Sequence, residues 1–430
     1  MNKTKRRTIS DVQTKSGKKK VAHRSSREAK RIELLNEAAK TLNRLGVSQT
    51  SLASIAKSVG ISRAALYYYV DNQEDLVYQS YVRTCQQLSG LLNAAATQHE
   101  HALEIIGAFI ASTLDDDRAE LASLSDVAFL KEEKLSVVLG LYKGLRSSLS
   151  DIIAIGIERK EVRACDPHIV ASILIGLITW APVVLMWRPV GGTPKEDLSR
   201  TIQEIIRMGI ATDREAAISL ERFDLLPFVA IKGNVFDAEF RNASRKETLV
   251  ASASWLFNQK GVDATSLEEV ALRVGVTKKV IYHNMGSKDD LVAECYRRGF
   301  RFSEFIFDAT KNSTGPRINA LCNSLATLAE ASVRPDIAPF APITGLDAWK
   351  DNVREELLNF AGKLVKDYDK MLHEGMDEGN IREINTHALV ALYPGFYEWM
   401  PRWIDTFQAA ERQKIPNEIA NFLRLGLGAI

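Results

Sequence analysis

The sequence is poor in the features that most quickly mark an enzyme, a secreted protein or a metalloprotein. Cysteine is scarce. Cys85, Cys165, Cys295 and Cys322 stand far apart, which gives neither a disulfide framework nor a zinc-ligand spacing and suits a reducing cytoplasm. No Gly-rich phosphate loop, nucleophile elbow or paired-carboxylate spacing stands out, so no catalysis and no cofactor are expected. His99 and His101 bracket Glu100, but a spacing of two on a helix turns their imidazoles apart, and no metal site is expected. The run Asp115 to Asp117 reads as a solvated loop. Met1 to Arg31 lacks an apolar core segment, which speaks against a signal peptide. Hairpin turns flanked by alternating residues are also missing.

Net charge is small, at +2, but unevenly spread: residues 1–31 hold twelve Lys or Arg against Asp11 and Glu28. Such an arm suits a polyanion such as nucleic acid; a solvated tail is the other reading. With 430 residues, 46% hydrophobic and 26% charged, the chain is globular and too long for one ordinary core. One stretch, "IVASILIGLITWAPVVLMW" from Ile169 to Trp187, is long enough to span a bilayer. It contains Pro182, and its counterpart "ALVALYPGFYEWMPRWI" carries Glu398 and Arg402. Both are read as buried helices.

What is present is a repeat. Gly46 to Leu76 aligns without gaps on Gly261 to Leu291, 215 residues later, at 11 identities in 31 positions. The match resumes at a displacement of 219, where "TWAP" (Thr179 to Pro182) faces "EWMP" (Glu398 to Pro401), and a last pairing, displaced by 217, sets "IIRMGI" (Ile205 to Ile210) beside "FLRLGL" (Phe422 to Leu427). Whole units are therefore duplicated. Apolar periodicity is helical nearly throughout, as in Ile32, Leu35, Ala38, Ala39 and Leu42, which predicts an all-α protein with about nine helices per unit. The boundaries drawn are a basic flexible arm (1–26), a first head (27–73), a first body (74–212), a partly helical connector (213–240), a second head (241–288) and a second body (289–430).

Within each repeat Leu52, Ile55, Ala56 and Val59, or Leu267, Val270, Ala271 and Val274, form one apolar helical stripe. Thr50 or Ser51 can cap the first of these helices. In the second copy Thr265 and Ser266 stand in those places, and Glu268 or Glu269 completes a capping box. Gly60 and Gly275 end the stripe, and Ser62 and Thr277 then cap a second helix. Helix, glycine turn, helix is the arrangement that offers its second helix to the major groove. The outward residues near its start are Arg63, Ala64, Tyr67 and Tyr68 in one copy and Lys278, Lys279, Tyr282 and His283 in the other. Basic groups reach phosphates or guanine edges, and tyrosine hydroxyls bind phosphate oxygens. A plain helical hairpin with a polar surface is the alternative.

The segment resembles the DNA-binding domain of the tetracycline-repressor-like (TetR/AcrR) family, whose Thr, "IA" pair, Gly turn, Ser and "Tyr-x-x-Phe" before "Lys-x-x-Leu" are met by Thr50, Ile55, Ala56, Gly60, Ser62, Tyr67 and Leu76. The second copy meets the pattern at Thr265, Val270, Ala271, Gly275, Thr277, Tyr282, Lys288 and Leu291. The chain departs from it at Ala64 and Lys279, where a small Gly is usual, at Val70 and Met285 for the aromatic, and at Gln73 for the phosphate-binding Lys. The resemblance implies a three-helix head from Lys30 to Tyr69, a linking helix from about Glu74 and a ligand-sensing body. It also implies pairing through the last two helices of each unit, Pro167 to Trp187 with Leu198 to Ile210 and Thr386 to Trp403 with Pro416 to Leu427.

Aromatic residues of the bodies, among them Phe109, Trp180, Trp349, Tyr393, Tyr397 and Trp403, are core or interface residues first and cavity-lining residues second. An apolar lining would suit a small hydrophobic effector. His168 and His387, matched at the start of the apolar helix, serve either that helix end or a ligand. The expectation is a ligand-responsive DNA-binding repressor whose two heads read a pseudo-palindromic operator as an intramolecular pseudo-dimer, with a homodimer of the whole chain as the other assembly. A ligand-binding or interaction protein with degenerate heads is the alternative.

Overall fold

The computed structural model describes residues 9–185, 192–230, 233–234, 236–341 and 349–430, with side chains from residue 27 onward. Among these residues every regular element is helical, and the pairs Val162/Gly428 and Ala211/Ile381 are isolated bridges. The chain is all-α, as its periodicity predicts. The first repeat contains α1 (Ile9–Gln49), α2 (Leu52–Ser58), α3 (Arg63–Leu66), α4 (Gln73–Gln98), α5 (Ala102–Thr113), α6 (Glu132–Glu158), α7 (Pro167–Val184) and α8 (Lys195–Met208). A short α9 (Leu226–Val229) lies in the connector. The second repeat contains α10 (Ala238–Lys260), α11 (Leu267–Val274), α12 (Lys278–Met285), α13 (Lys288–Lys311), α14 (Arg317–Ser332), α15 (Asp351–Asp377), α16 (Thr386–Leu392), α17 (Met400–Trp403), α18 (Ala409–Arg412) and α19 (Ile415–Leu425).

Two expectations change here. The arm expected to be flexible is helical from Ile9, where α1 begins; residues 1–8, and the side chains through residue 26, lie outside the described residues. The apolar stretch is one long helix in the first repeat only. In the second it is broken into α16, a tight turn at Tyr393–Phe396 and α17, because Pro394 and Pro401 have no N–H to donate and their rings crowd the preceding turn. Helix α7 is long and apolar enough to cross a membrane, yet 78% of that window is buried inside the protein. Asp166 fixes its start by accepting from the amides of His168 (3.1 Å) and Ile169 (3.2 Å), and Pro167 costs no bond in the first turn. Trp187 lies outside the described residues.

The connector is folded down rather than free. The Phe223 amide donates to the Thr327 hydroxyl (3.1 Å), Arg222 pairs with Glu330 (3.2 Å), and Phe228 meets Phe302 edge to face at 4.9 Å.

The repeats grip each other by the same bonds made in both directions. The Arg163 amide donates to the Leu427 carbonyl (2.8 Å), and that of Arg382, its repeat equivalent, to the Ile210 carbonyl (2.9 Å). Both guanidinium Nε atoms then donate to a helix-end glycine, Arg163 to Gly426 and Arg382 to Gly209, each at 2.6 Å. Those glycines end α19 and α8 with φ of 64° and 63°, a left-handed value that costs other residues most. They also let two backbones cross: a Cβ on Gly426 would lie 2.5 Å from the Gly209 nitrogen and the Ile205 carbonyl oxygen. Farther along, Gly176 makes room for Trp399, and Gly395 for Trp180. The Trp180 indole donates to the Ala391 carbonyl (2.8 Å).

Replacing Gly426 by Ala combines a strained φ with a backbone clash, so it should destabilise the chain by about 3 kcal/mol in urea unfolding. Gly90→Ala, on an open face of α4 where a Cβ meets nothing within 4 Å, should be neutral or gain up to about 1 kcal/mol. Equal effects at the two positions would contradict this account of the crossing.

Candidate nucleic-acid interface

Each head is built by the same three local devices. A serine starts the first short helix: the Ser51 hydroxyl accepts from the Ser54 amide (3.0 Å), and that of Ser266 from the Glu269 amide (3.1 Å), with Glu269 reaching back to the Ser266 amide (2.9 Å) as a capping box. A glycine with φ of 72° ends it in both copies, Gly60 and Gly275. The chain then folds back through bonds at equivalent positions, Ile61 amide to Ala56 carbonyl and Val276 amide to Ala271 carbonyl, both 2.9 Å. Ser62 caps α3 through the Ala65 amide (3.1 Å). Thr277 stands at the same place before α12 but makes no capping bond.

Burial sorts the candidate contact residues. Ile55, Ala56, Leu66 and Val70 are buried in the first head, and Val270, Ala271, Ile281 and Met285 in the second. Arg63, Ala64, Tyr67 and Tyr68 are exposed, as are Lys278, Lys279, Tyr282 and His283. Tyr68 is 75% exposed, so packing does not account for its ring. Ser51, Ser62, Ser266 and Thr277 are accessible beside them. Thr50 and Thr265 differ from expectation. Both are 1% exposed, and their hydroxyls donate to the carbonyls of Gly46 (2.7 Å) and Gly261 (2.8 Å). They lock the turn after the first head helix rather than face a ligand.

The two presentation surfaces are unlike. In the first copy α3 is one turn long. In the second, α12 has eight residues, and Lys278 is held by Glu268 (2.5 Å) while lying 5.7 Å over the Tyr282 ring. Lys288 is half-buried, and burial holds its ammonium below the usual lysine range against the charges of Asp263 and Asp126. At the equivalent position Gln73 donates instead to the carbonyls of Val47 (2.6 Å) and Thr50 (2.9 Å), so the first copy uses that position to close its own turn.

The heads meet at repeat-equivalent residues. The Ser48 amide donates to the Asp263 carboxylate (2.6 Å), and the Asp263 amide approaches Asp126 at 3.4 Å. Asp126 belongs to the first body and is fully buried; burial and then the Asp263 charge push its carboxyl up to about 6, against a hydrogen bond from Ser125. Arg402, from α17 of the other repeat, donates to the Ser125 carbonyl (3.0 Å). No sequence pattern marks Asp126 or Asp263, because their partnership joins residues 137 apart.

A cavity of about 130 Å³ opens in the second body, walled by Tyr296, Phe300, Phe340, Tyr393, Tyr397 and, from the first repeat, Trp180. Its one carboxylate is Glu398, pushed up to about 8 by burial against the pull of Arg402. An acid inside an apolar stretch is the signal that marks it in the sequence. His168 contacts the Ser150 hydroxyl (3.2 Å) rather than the cavity. Among the described residues no group of three or more His, Cys, Asp or Glu is placed to hold a metal.

The raised Glu398 has a consequence for stability. In the unfolded chain the carboxyl ionises at its ordinary value, whereas the folded chain keeps the proton until about 8. The folded state therefore binds more protons between these values, and stability should fall as pH rises from about 5 to about 8. Glu398→Gln should flatten that part of the profile in urea titrations run at a series of pH values. An unchanged slope would mean that the carboxyl ionises normally.

Comparison with known proteins agrees with this geometry. The family model described as bacterial regulatory proteins, tetR family, matches twice, at residues 34–79 and 249–295, and that of the tetracyclin repressor-like C-terminal domain matches residues 96–217. Relatives include the biofilm operon icaADBC HTH-type negative transcriptional regulator IcaR of Staphylococcus aureus, 23% identical over 150 residues, which is 34% of this chain and 80% of the relative. The transposon Tn10 TetC protein of Escherichia coli is 38% identical over 55 residues, 13% of this chain and 28% of that protein. Among solved structures, the TetR family transcriptional regulator PfmR from Thermus thermophilus is 20% identical, covering 41% of this chain and 94% of its own, with a TM-score of 0.34. Between them the family matches take in half of the sequence, both glycine-turn heads included, and the chain belongs to the tetR family of bacterial regulatory proteins.

Proposed function

We propose that this protein is a cytoplasmic, ligand-responsive transcriptional repressor, without catalytic activity, whose two heads read the two halves of a pseudo-palindromic operator from a single chain. The observation that carries this reading is the paired presentation of exposed, unlike second helices by heads whose bodies bond reciprocally through Arg163 and Arg382. A tether makes that pairing intramolecular, at an effective concentration on the order of millimolar. Each recognition surface can then diverge without losing its partner. The name of the relative IcaR, a negative transcriptional regulator, favours repression.

Contiguous contacts favour control by a small hydrophobic effector in the body. Glu398 lines the cavity; Arg402, one turn on, bonds the Ser125 carbonyl; and the neighbouring Asp126 approaches Asp263, which receives the Ser48 amide. An effector that moves α17 thus acts on residues touching both heads, and a differential fit to two head arrangements is what coupling requires.

Operator binding tests the reading. Lys278→Ala with Lys279→Ala should weaken one half-site by roughly 1–3 kcal/mol per lost base contact, and Arg63→Ala should weaken the other. Footprints of symmetrised operators would read this; if both variants weaken the same half, one head does not serve each half. Specific binding no tighter than that to random DNA would favour an interaction protein with degenerate heads. Deleting residues 1–24 should flatten the salt dependence of binding while leaving sequence preference unchanged, because counterion release counts phosphates rather than bases. A salt slope equal to that of the full chain would exclude the arm from the complex.

A further inference from the structure

The two repeats do not carry equivalent cavities. Applying the displacement of 219, the cavity residues Trp180, Val184, Ala361 and Glu398 correspond to Trp399, Trp403, Tyr142 and Thr179. That second set lines a smaller hollow of about 70 Å³ on the first-repeat side, which Glu398 and Arg402 also border. It is filled by substitution: Tyr142 stacks on Trp403 with centroids 3.9 Å apart and planes 6° from parallel, where the open cavity has only Ala361 and Val184. Duplication has thus left one open cavity and one plugged by its own side chains.

The open cavity is apolar and aromatic except at Ser303, whose hydroxyl donates to the Gly299 carbonyl (3.1 Å), and at Glu398. That carboxylate makes no hydrogen bond or ion pair among the described residues. Arg402 is not its dedicated counterion, since Arg402 is turned to the Ser125 carbonyl and its stronger acidic neighbour is Asp126. A lone carboxylate against aromatic faces is costly without a cation and favourable with one, because the ring quadrupoles and the carboxylate attract the same charge. Volume limits the guest: an apolar hole of about 150 Å³ accommodates a benzene ring, and this one is about 130 Å³.

We infer that the second-repeat cavity takes one compact apolar monocation per chain, a branched alkylammonium no larger than benzene, whose charge is set against Glu398. The inference rests on the effector reading above and narrows it from a hydrophobic molecule to a hydrophobic amine. The first repeat binds none, being closed by Tyr142 and Trp403.

Calorimetric titration of the full chain with isobutylamine, isobutanol and isobutyrate, none with more heavy atoms than benzene, tests it. The amine should bind at one site per chain, the alcohol at least about tenfold more weakly, and the anion not at all. Glu398→Gln should abolish the preference for amine over alcohol while retaining the alcohol. Ala361→Tyr, which copies the plug, should lose both ligands at an unchanged melting midpoint. Two sites per chain, an alcohol as tight as the amine, a preference that survives in Glu398→Gln, or binding of none of the three would overturn the inference. Operator affinity measured alongside keeps the two readings separate. One-site amine binding that leaves operator affinity unchanged would support the cavity assignment and sink effector control through it, whereas specific operator binding without amine binding would sink the cavity assignment and leave the repressor reading standing.

Discussion

The crossing of α8 and α19 is the constraint on which the arrangement of the chain depends. Two helix ends can approach backbone to backbone only where neither has a Cβ, and Gly209 and Gly426 meet that condition at the same point of the two repeats. Once they cross, the freed carbonyls at each helix end need donors, and Arg163 and Arg382 supply them from the opposite repeat. A neutral hydrogen bond contributes only about 1 kcal/mol net, with charged donors somewhat more. Most of the stabilisation therefore comes from what the crossing buries: α7 packed against the broken segment of the second repeat, with Trp180 and Trp399 each filling the space left by the other's glycine.

From that fixed junction the two repeats have moved apart in character. The first head keeps a small core of its own, with Leu34, Leu35, Ile55, Leu66 and Leu76. The core of the second head, with Phe257, Val270, Ile281 and Leu291, runs on without a break into the bodies. A head resting on few apolar contacts opens at lower free energy than one continuous with the main core. The asymmetry extends to the bodies, where the acid just before α17 and the base within it have no counterpart: Thr179 and Val183 stand at the positions matching Glu398 and Arg402. An identical pair of chains could not combine a plugged body and an open one in this way.

Much of the fold was legible in the sequence because it is local. Apolar spacing, the serine caps and the glycine turns each act within a few residues, and the repeat supplied every one of them twice. The exposed set on each second helix followed from the same periodicity. What was not legible depends on distant neighbours. Thr50 and Thr265 match a contact pattern, yet burial turns their hydroxyls onto the preceding glycine carbonyls. The two prolines near Glu398 were visible, but that they would split one helix into two while Pro182 leaves α7 whole was not. Asp126 and Asp263, and the stack of Tyr142 on Trp403, join residues far apart in the chain, and no spacing rule reaches that distance.

The central claim is that the duplicated unit pairs with itself inside one chain. Sedimentation equilibrium of the free protein, followed by titration with an operator of two unlike halves, tests this most directly. The account predicts the mass of one chain in solution and one chain bound per two-half operator. A stable mass of two chains, with first repeat paired to first repeat and four half-sites needed for saturation, would contradict it.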